Sequence, residues 1–87
     1  RNDDTTVKML YAAYLAKSGK KTEALAMLDE MVNAEEETAN VYYNIGLIYF
    51  ELKDYEKSLS YARRAYDLGF PLPGLRDKLK RAGKWKD

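Results

Sequence analysis

Residues 40–65 read NVYYNIGLIYFELKDYEKSLSYARRA, and within them lies the frame Tyr42-x-x-Ile45-Gly46-x-x-Tyr49, followed by Tyr55, Ser58, Ala62 and Ala65. The same frame stands 34 positions earlier as Lys8-x-x-Tyr11-Ala12-x-x-Leu15, then Lys21, Ala24, Leu28 and Met31. Small residues meet small ones, Gly46 with Ala12 and Ser58 with Ala24, and large apolar residues mostly meet large apolar ones. A fixed period of this length in a helical pattern marks a stacked repeat, a unit that buries its apolar face only against neighbours. Such a unit works through the surface that stacking creates rather than through a catalytic constellation.

Around this frame the apolar spacing predicts five helices. The first covers about 5–18, with Val7, Leu10, Tyr11, Tyr14 and Leu15 recurring at helical intervals. Asp3, Asp4 and Thr5 offer it capping oxygens and favourable charge, and Gly19 stops it. The second covers about 21–33, with Ala24, Leu25, Leu28, Met31 and Val32 on one side. The run Glu35-Glu36-Glu37-Thr38 opens a third, reaching about 52, and Asp54 caps a fourth over about 55–68. Gly69, Pro71 and Pro73 end that helix, and a shorter fifth runs over about 73–82 to Gly83. The linkers are short, which makes each helix antiparallel to its neighbour.

Gly46 is the informative residue within the frame. A glycine in mid-helix costs about 1 kcal/mol against alanine, so its place there demands a close approach. Gly46 opposite Ser58, and Ala12 opposite Ala24, let paired helices sit toward the close end of the roughly 8–10 Å packing range. Tyr42, Ile45 and Tyr49 flank the contact in the second copy, Tyr11 and Leu15 in the first.

These residues resemble the tetratricopeptide repeat family, whose pattern runs from a large aromatic through Leu-Gly and Tyr to Ala, an aromatic, Ala and a closing Pro. Tyr42, Ile45, Gly46, Tyr49, Tyr55 and Ala65 occupy matching positions, as does the turn Lys53-Asp54-Tyr55. The earlier copy is more degenerate. Across both copies the departures are Lys8 for the first aromatic, Ala12 for Gly, Ser58 for Ala and Ala62 for the aromatic. The closing Pro is absent from the first copy and replaced by Phe70 in the second. The resemblance implies an all-α fold: an α–α superhelix, or solenoid, of two antiparallel helix hairpins with a fifth, capping helix. One domain, 1–87, would then hold repeat 1 at about 5–38, repeat 2 at about 39–72 and the cap at about 73–83.

The resemblance also implies a site. In such proteins the first helices of successive repeats line a concave groove that holds an extended peptide or a partner helix. Carried over by position, its floor is Met9, Ala13, Asn40, Tyr43, Asn44, Leu47 and Phe50, with Lys78 and Arg81 at one end. An apolar helical stripe is more often core than groove, so Leu47 and Phe50 also fit a place against the first repeat or beneath the cap. Tyr43 and Asn44 tolerate solvent and offer hydrogen bonds, and both lie off the stripe that packs the hairpin. Some family members clamp C-terminal carboxylates of chaperones. Here the first-repeat clamp positions read Met9 and Ala13, which points instead to a mixed apolar peptide or a helix.

Composition removes most enzyme chemistry. The 87 residues include no Cys and no His, so thiol nucleophiles, imidazole bases and sulfur- or nitrogen-ligated zinc are excluded. Ser18, Ser58 and Ser60 then lack the usual base. No catalytic, metal or cofactor residues are expected. The residues are 46% hydrophobic and 33% charged, a composition of a folded helical domain rather than a disordered one. No apolar run approaches the roughly 20 residues that span a bilayer. The chain starts without Met or a signal-peptide pattern, as a segment of a longer or processed protein would.

Charge is uneven. Residues 1–52 hold 5 basic and 9 acidic side chains, and residues 53–87 hold 10 basic and 5 acidic ones. The basic tail, with Arg76, Lys78, Lys80, Arg81, Lys84 and Lys86, could meet phosphates, but Asp77 and Asp87 dilute it and Trp85 alone is there to stack on a base. After Gly83 the chain can turn back and lay that indole over the cap helix. Residues 35–37 read as a solvated helix entrance rather than a hard-cation site. The expected partner is another protein, as a peptide or helix, with no nucleic acid and no membrane insertion. The alternative is self-association, as a homo-oligomer or a segment of a longer array, since two repeats fall short of the three or so such folds need.

Overall fold

The computed structural model describes residues 2–33 and 38–87. They form α1 (Asn2–Lys17), α2 (Lys21–Asn33), α3 (Ala39–Glu51), α4 (Tyr55–Asp67) and α5 (Gly74–Arg81), with no strand among the described residues. The helices pack in adjacent pairs, as in a tetratricopeptide-like repeat. The chain divides into two compact units, residues 1–36 and 37–87.

Four helix ends share one closure. After α1, Lys20 N–H donates to Leu15 C=O and Gly19 N–H to Ala16 C=O, and the same pair of bonds recurs after α3, α4 and α5. This double bond satisfies carbonyls left open by the last turn, and it needs one residue in the left-handed region. Gly19, Gly69 and Gly83 supply it with φ of 79°, 93° and 72°, whereas after α3 it is Lys53 at 64°. Starts differ more. Thr38 Oγ1 accepts from Val41 N–H, and Asp54 Oδ1 from Lys57 N–H, as expected of Asp54. α1 begins earlier than its spacing suggested, so Thr5 is no cap; it lies inside the helix and is buried. The run at residues 35–37 lies outside the described residues.

In the first unit α1 packs on α2 through Ala12, Leu15, Ala16, Ala24, Leu28 and Met31, all buried. The stripe Val7, Leu10, Tyr11 and Tyr14 does not join them: these side chains are 63, 68, 50 and 60% exposed. The spacing was right for a helix but mixed two faces, because a helix in a pair turns only one stripe toward its partner. Lys8 Nζ reaches Glu30 Oε1 at 3.3 Å, an exposed ion pair between the two helices.

The second unit repeats this arrangement with other chemistry. Thirty-four positions after Lys8 and Glu30 stand Tyr42 and Arg64, and there the guanidinium lies 5.7 Å from the Tyr42 ring centre. An ion pair in one copy is a cation–π contact in the other. Tyr61 extends the stack, 5.9 Å from Tyr42 and 5.8 Å from Tyr49. At the crossing of α3 and α4, Ser58 Oγ donates to Gly46 C=O at 2.8 Å. A Cβ on Gly46 would lie 2.7 Å from Leu75 Cδ2 and 3.3 Å from Ser58 O. Gly46 thus marks a junction of three helices, with α5 as close as α4. Leu75 and Leu79 of α5 bury completely with Ala62 of α4, and Leu47, Phe50, Tyr55, Leu59, Tyr66 and Trp85 pack around them.

Candidate interaction surface

α5 starts with a deficit that its neighbours repair. Its N-cap is Pro73, which makes no side-chain capping bond. The N–H of Leu75 donates instead to Tyr43 Oη, and the N–H of Arg76 to Tyr66 Oη, each at 3.2 Å. Two tyrosine hydroxyls from α3 and α4 therefore do what a capping Ser or Asp does elsewhere. Tyr66 Oη itself donates to Leu72 C=O at 2.8 Å. The Tyr43 ring stacks on Phe70 with centres 4.1 Å apart and meets Tyr66 edge-on at 6.3 Å. A Cβ on Gly74 would come within 2.8 Å of Tyr43 Oη, so a residue without one lets the phenol approach.

The residues expected to line a groove accordingly have different surroundings. Tyr43, Leu47 and Phe50 are half-buried and pack on the α5 core. Leu47 and Phe50 thus occupy the place beneath the cap that their spacing also allowed. Phe50 meets Tyr55 edge-on at 5.2 Å and carries Lys78 Nζ 5.6 Å from its ring centre. Tyr43 lies off the stripe that packs the hairpin, yet it has a packing role, since its hydroxyl anchors α5. Asn40 is exposed and Asn44 half-buried, and Asn44 Nδ2 donates to Asn40 C=O at 2.8 Å and to Asn40 Oδ1 at 3.2 Å. Arg81 is exposed. Met9 and Ala13 are half-buried positions of α1, in the other unit.

A second cluster escaped the sequence reading. Arg63, Tyr66, Arg76 and Trp85 come from α4, α5 and the tail, and meet around the indole. Arg63 and Arg76 place their guanidinium carbons 5.7 and 5.9 Å from its centre. Arg76 also lies 4.8 Å from the Tyr66 ring centre, and Tyr66 stands edge-on to Trp85 at 6.2 Å. Burial raises the Tyr66 phenol above its ordinary range, while the bond from Arg76 pulls the other way. The turn at Gly83 does bring the indole back, though against Tyr66 and the α4–α5 core. Spacing could have suggested only the pair Arg63 and Tyr66, one turn apart on α4; the rest depends on where the tail folds.

The paired helices and their repeated register define a helical-repeat protein. Residues 39–68, which span α3 and α4, match the family model of the tetratricopeptide repeat. This family consists in general of protein–protein interaction modules. No curated protein and no solved structure shows significant similarity to the chain. No helix among the described residues is long and apolar enough to cross a membrane.

Proposed function

We propose that this chain is a non-catalytic interaction module that holds a peptide or helix of another protein in a concave groove, on the face of α3 that carries Asn40 and Asn44. The observation that supports it best is the Asn40–Asn44 pair. Two amides one turn apart, tied to each other rather than to the core, keep spare donors and acceptors at solvent-accessible positions of the helix that opens the matched repeat. Tyr43, Leu47 and Phe50 add apolar surface beside them, Lys78 and Arg81 charge at one end, and Met9 and Ala13 are the equivalent positions of α1.

The test replaces both amides, Asn40→Ala with Asn44→Ala, and compares partner capture from the native source with that of wild type. Tyr43 is left in place because its hydroxyl caps α5. The double variant should melt like wild type and lose its partners, a truncated hot-spot residue costing about 2 kcal/mol of binding. If it stays folded and recovers the same partners, the α3 face is not the site.

One observation favours a second reading, self-association. The exposed α1 stripe Val7, Tyr11 and Tyr14 has as its counterparts Val41, Ile45 and Ile48, which are 5, 1 and 3% exposed. A stripe that is buried in one copy of the repeat stands open in the other.

A further inference from the structure

The cluster around Trp85 has a feature that tail anchoring leaves unused. Arg63, Tyr66, Arg76, Trp85 and Lys86, with the carboxylates of Asp67 and Asp87, line a cavity of about 220 Å³. A guanidinium resting on a ring face keeps its N–H edges free to donate in its own plane. Among the described residues neither Arg63 nor Arg76 forms an ion pair with a carboxylate. Asp87 is engaged elsewhere, its Oδ1 accepting from Trp85 Nε1 at 2.8 Å. The Arg76 guanidinium lies against two rings, 4.8 Å from the centre of Tyr66 and 5.9 Å from that of Trp85. That donor is therefore pre-placed, and less of its side-chain freedom remains to be lost when an anion arrives.

Size and charge narrow the ligand. The cavity is smaller than the roughly 300–1,000 Å³ of small-molecule sites, which suits one side chain or chain end rather than a cofactor. Three cationic and two anionic side chains line it, a net single positive charge that matches one carboxylate better than a doubly charged phosphate. We infer that this cleft between α4, α5 and the tail binds a carboxylate of an acidic peptide from a partner protein, with Arg63 and Arg76 as the donors. It uses no residue of α3, so it stands or falls apart from the function proposed above.

Trp85 is the only tryptophan of the chain, so its fluorescence reports on this cleft directly. Wild type is titrated with a capped hexaglutamate peptide, a hexaglutamate with a free C-terminus, capped hexaglutamine, a phosphoserine peptide and a short oligothymidylate. Both hexaglutamates should change the emission saturably, with affinity falling as salt rises, and tighter binding of the free-ended one would place the chain terminus in the cleft. Hexaglutamine should do nothing. Arg63→Gln, on the exposed side of α4, should weaken hexaglutamate binding about tenfold, the scale of one charge-assisted hydrogen bond. Arg63→Lys keeps the charge and loses the fork, and should also weaken it. Lys80→Gln, outside the cavity, and the Asn40→Ala/Asn44→Ala variant should leave it unchanged. The inference is overturned by an absent saturable response to hexaglutamate, by an equal response to hexaglutamine, by unchanged affinity in both folded Arg63 variants, or by tighter binding of the phosphoserine peptide or oligothymidylate.

Discussion

Gly46 shows how much can rest on a missing atom. A Cβ there would lie 2.7 Å from Leu75 Cδ2 and 3.3 Å from Ser58 O, which leaves no room for a branched side chain. Gly46→Leu should therefore overpack a three-helix junction and cost about 3 kcal/mol, the upper part of the usual range. Gly46→Ala should cost less than Gly46→Leu, because it adds one carbon rather than four and recovers about 1 kcal/mol of helix propensity, although the buried Leu75 must still move to admit it. Thermal unfolding of the two variants checks this, and equal melting temperatures for Gly46→Leu and wild type would remove Gly46 as a packing contact. Tyr66 is the second residue on which much converges. Tyr66→Phe loses the bond to Leu72 and the cap on Arg76, each worth about 1 kcal/mol. Its phenol is raised in the folded protein, mainly by burial, so the folded state holds that proton more tightly than the unfolded one does. The resulting contribution is intact below the ordinary phenol value of about 10 and is lost as pH rises through the folded value. Wild type should lose stability above about pH 10 more steeply than Tyr66→Phe, as followed by circular dichroism.

Among the elements, the turn after α3 stands apart from its relatives. Lys53 is the 34-position counterpart of Gly19, closes its helix with the same two hydrogen bonds, and takes a φ of 64° with a side chain attached. The left-handed region costs a non-glycine residue roughly 1–2 kcal/mol, and glycine returns about 0.4–1 kcal/mol of that through its freer unfolded chain. Lys53→Gly should thus stabilise the protein by up to about 1 kcal/mol, read as a higher urea midpoint with an unchanged slope. A lower midpoint would mean that the Lys53 side chain contributes something its backbone position does not reveal. α5 offers the opposite lesson. With eight residues and a proline at its N-cap, it is too short to stand alone in water, and two tyrosine hydroxyls and two buried leucines hold it in place.

For the whole molecule, the outstanding feature is the open stripe of α1. If the self-association reading is right, static light scattering should show a mass that rises with concentration in wild type and stays monomeric in Leu10→Lys with Tyr14→Lys. Both positions are more than half exposed, so the change should leave the fold intact. A wild type monomeric at all concentrations would set that reading aside and leave the stripe for other partners.

Helix positions, the 34-residue register and the small residues at Gly46 and Ser58 were legible from sequence alone, because local spacing, capping residues and left-handed stops act over a few residues. That register holds in atomic detail: Lys8–Glu30 and Tyr42–Arg64 join the same positions with different chemistry. What spacing could not decide was which apolar stripe of a helix finds a partner. Val7, Leu10, Tyr11 and Tyr14 follow the helical period yet stay open, while Leu47 and Phe50, equally plausible as groove, lie beneath α5. The capping of α5 by Tyr43 and Tyr66, and the gathering of Arg63 and Arg76 on Trp85, depend on the tertiary structure alone. Each joins residues many positions apart through hydroxyls and ring faces, and such groups carry no periodicity of their own. Periodicity determines that a helix forms and which faces could be buried; only the packing of a third helix on the other two decides which of them are.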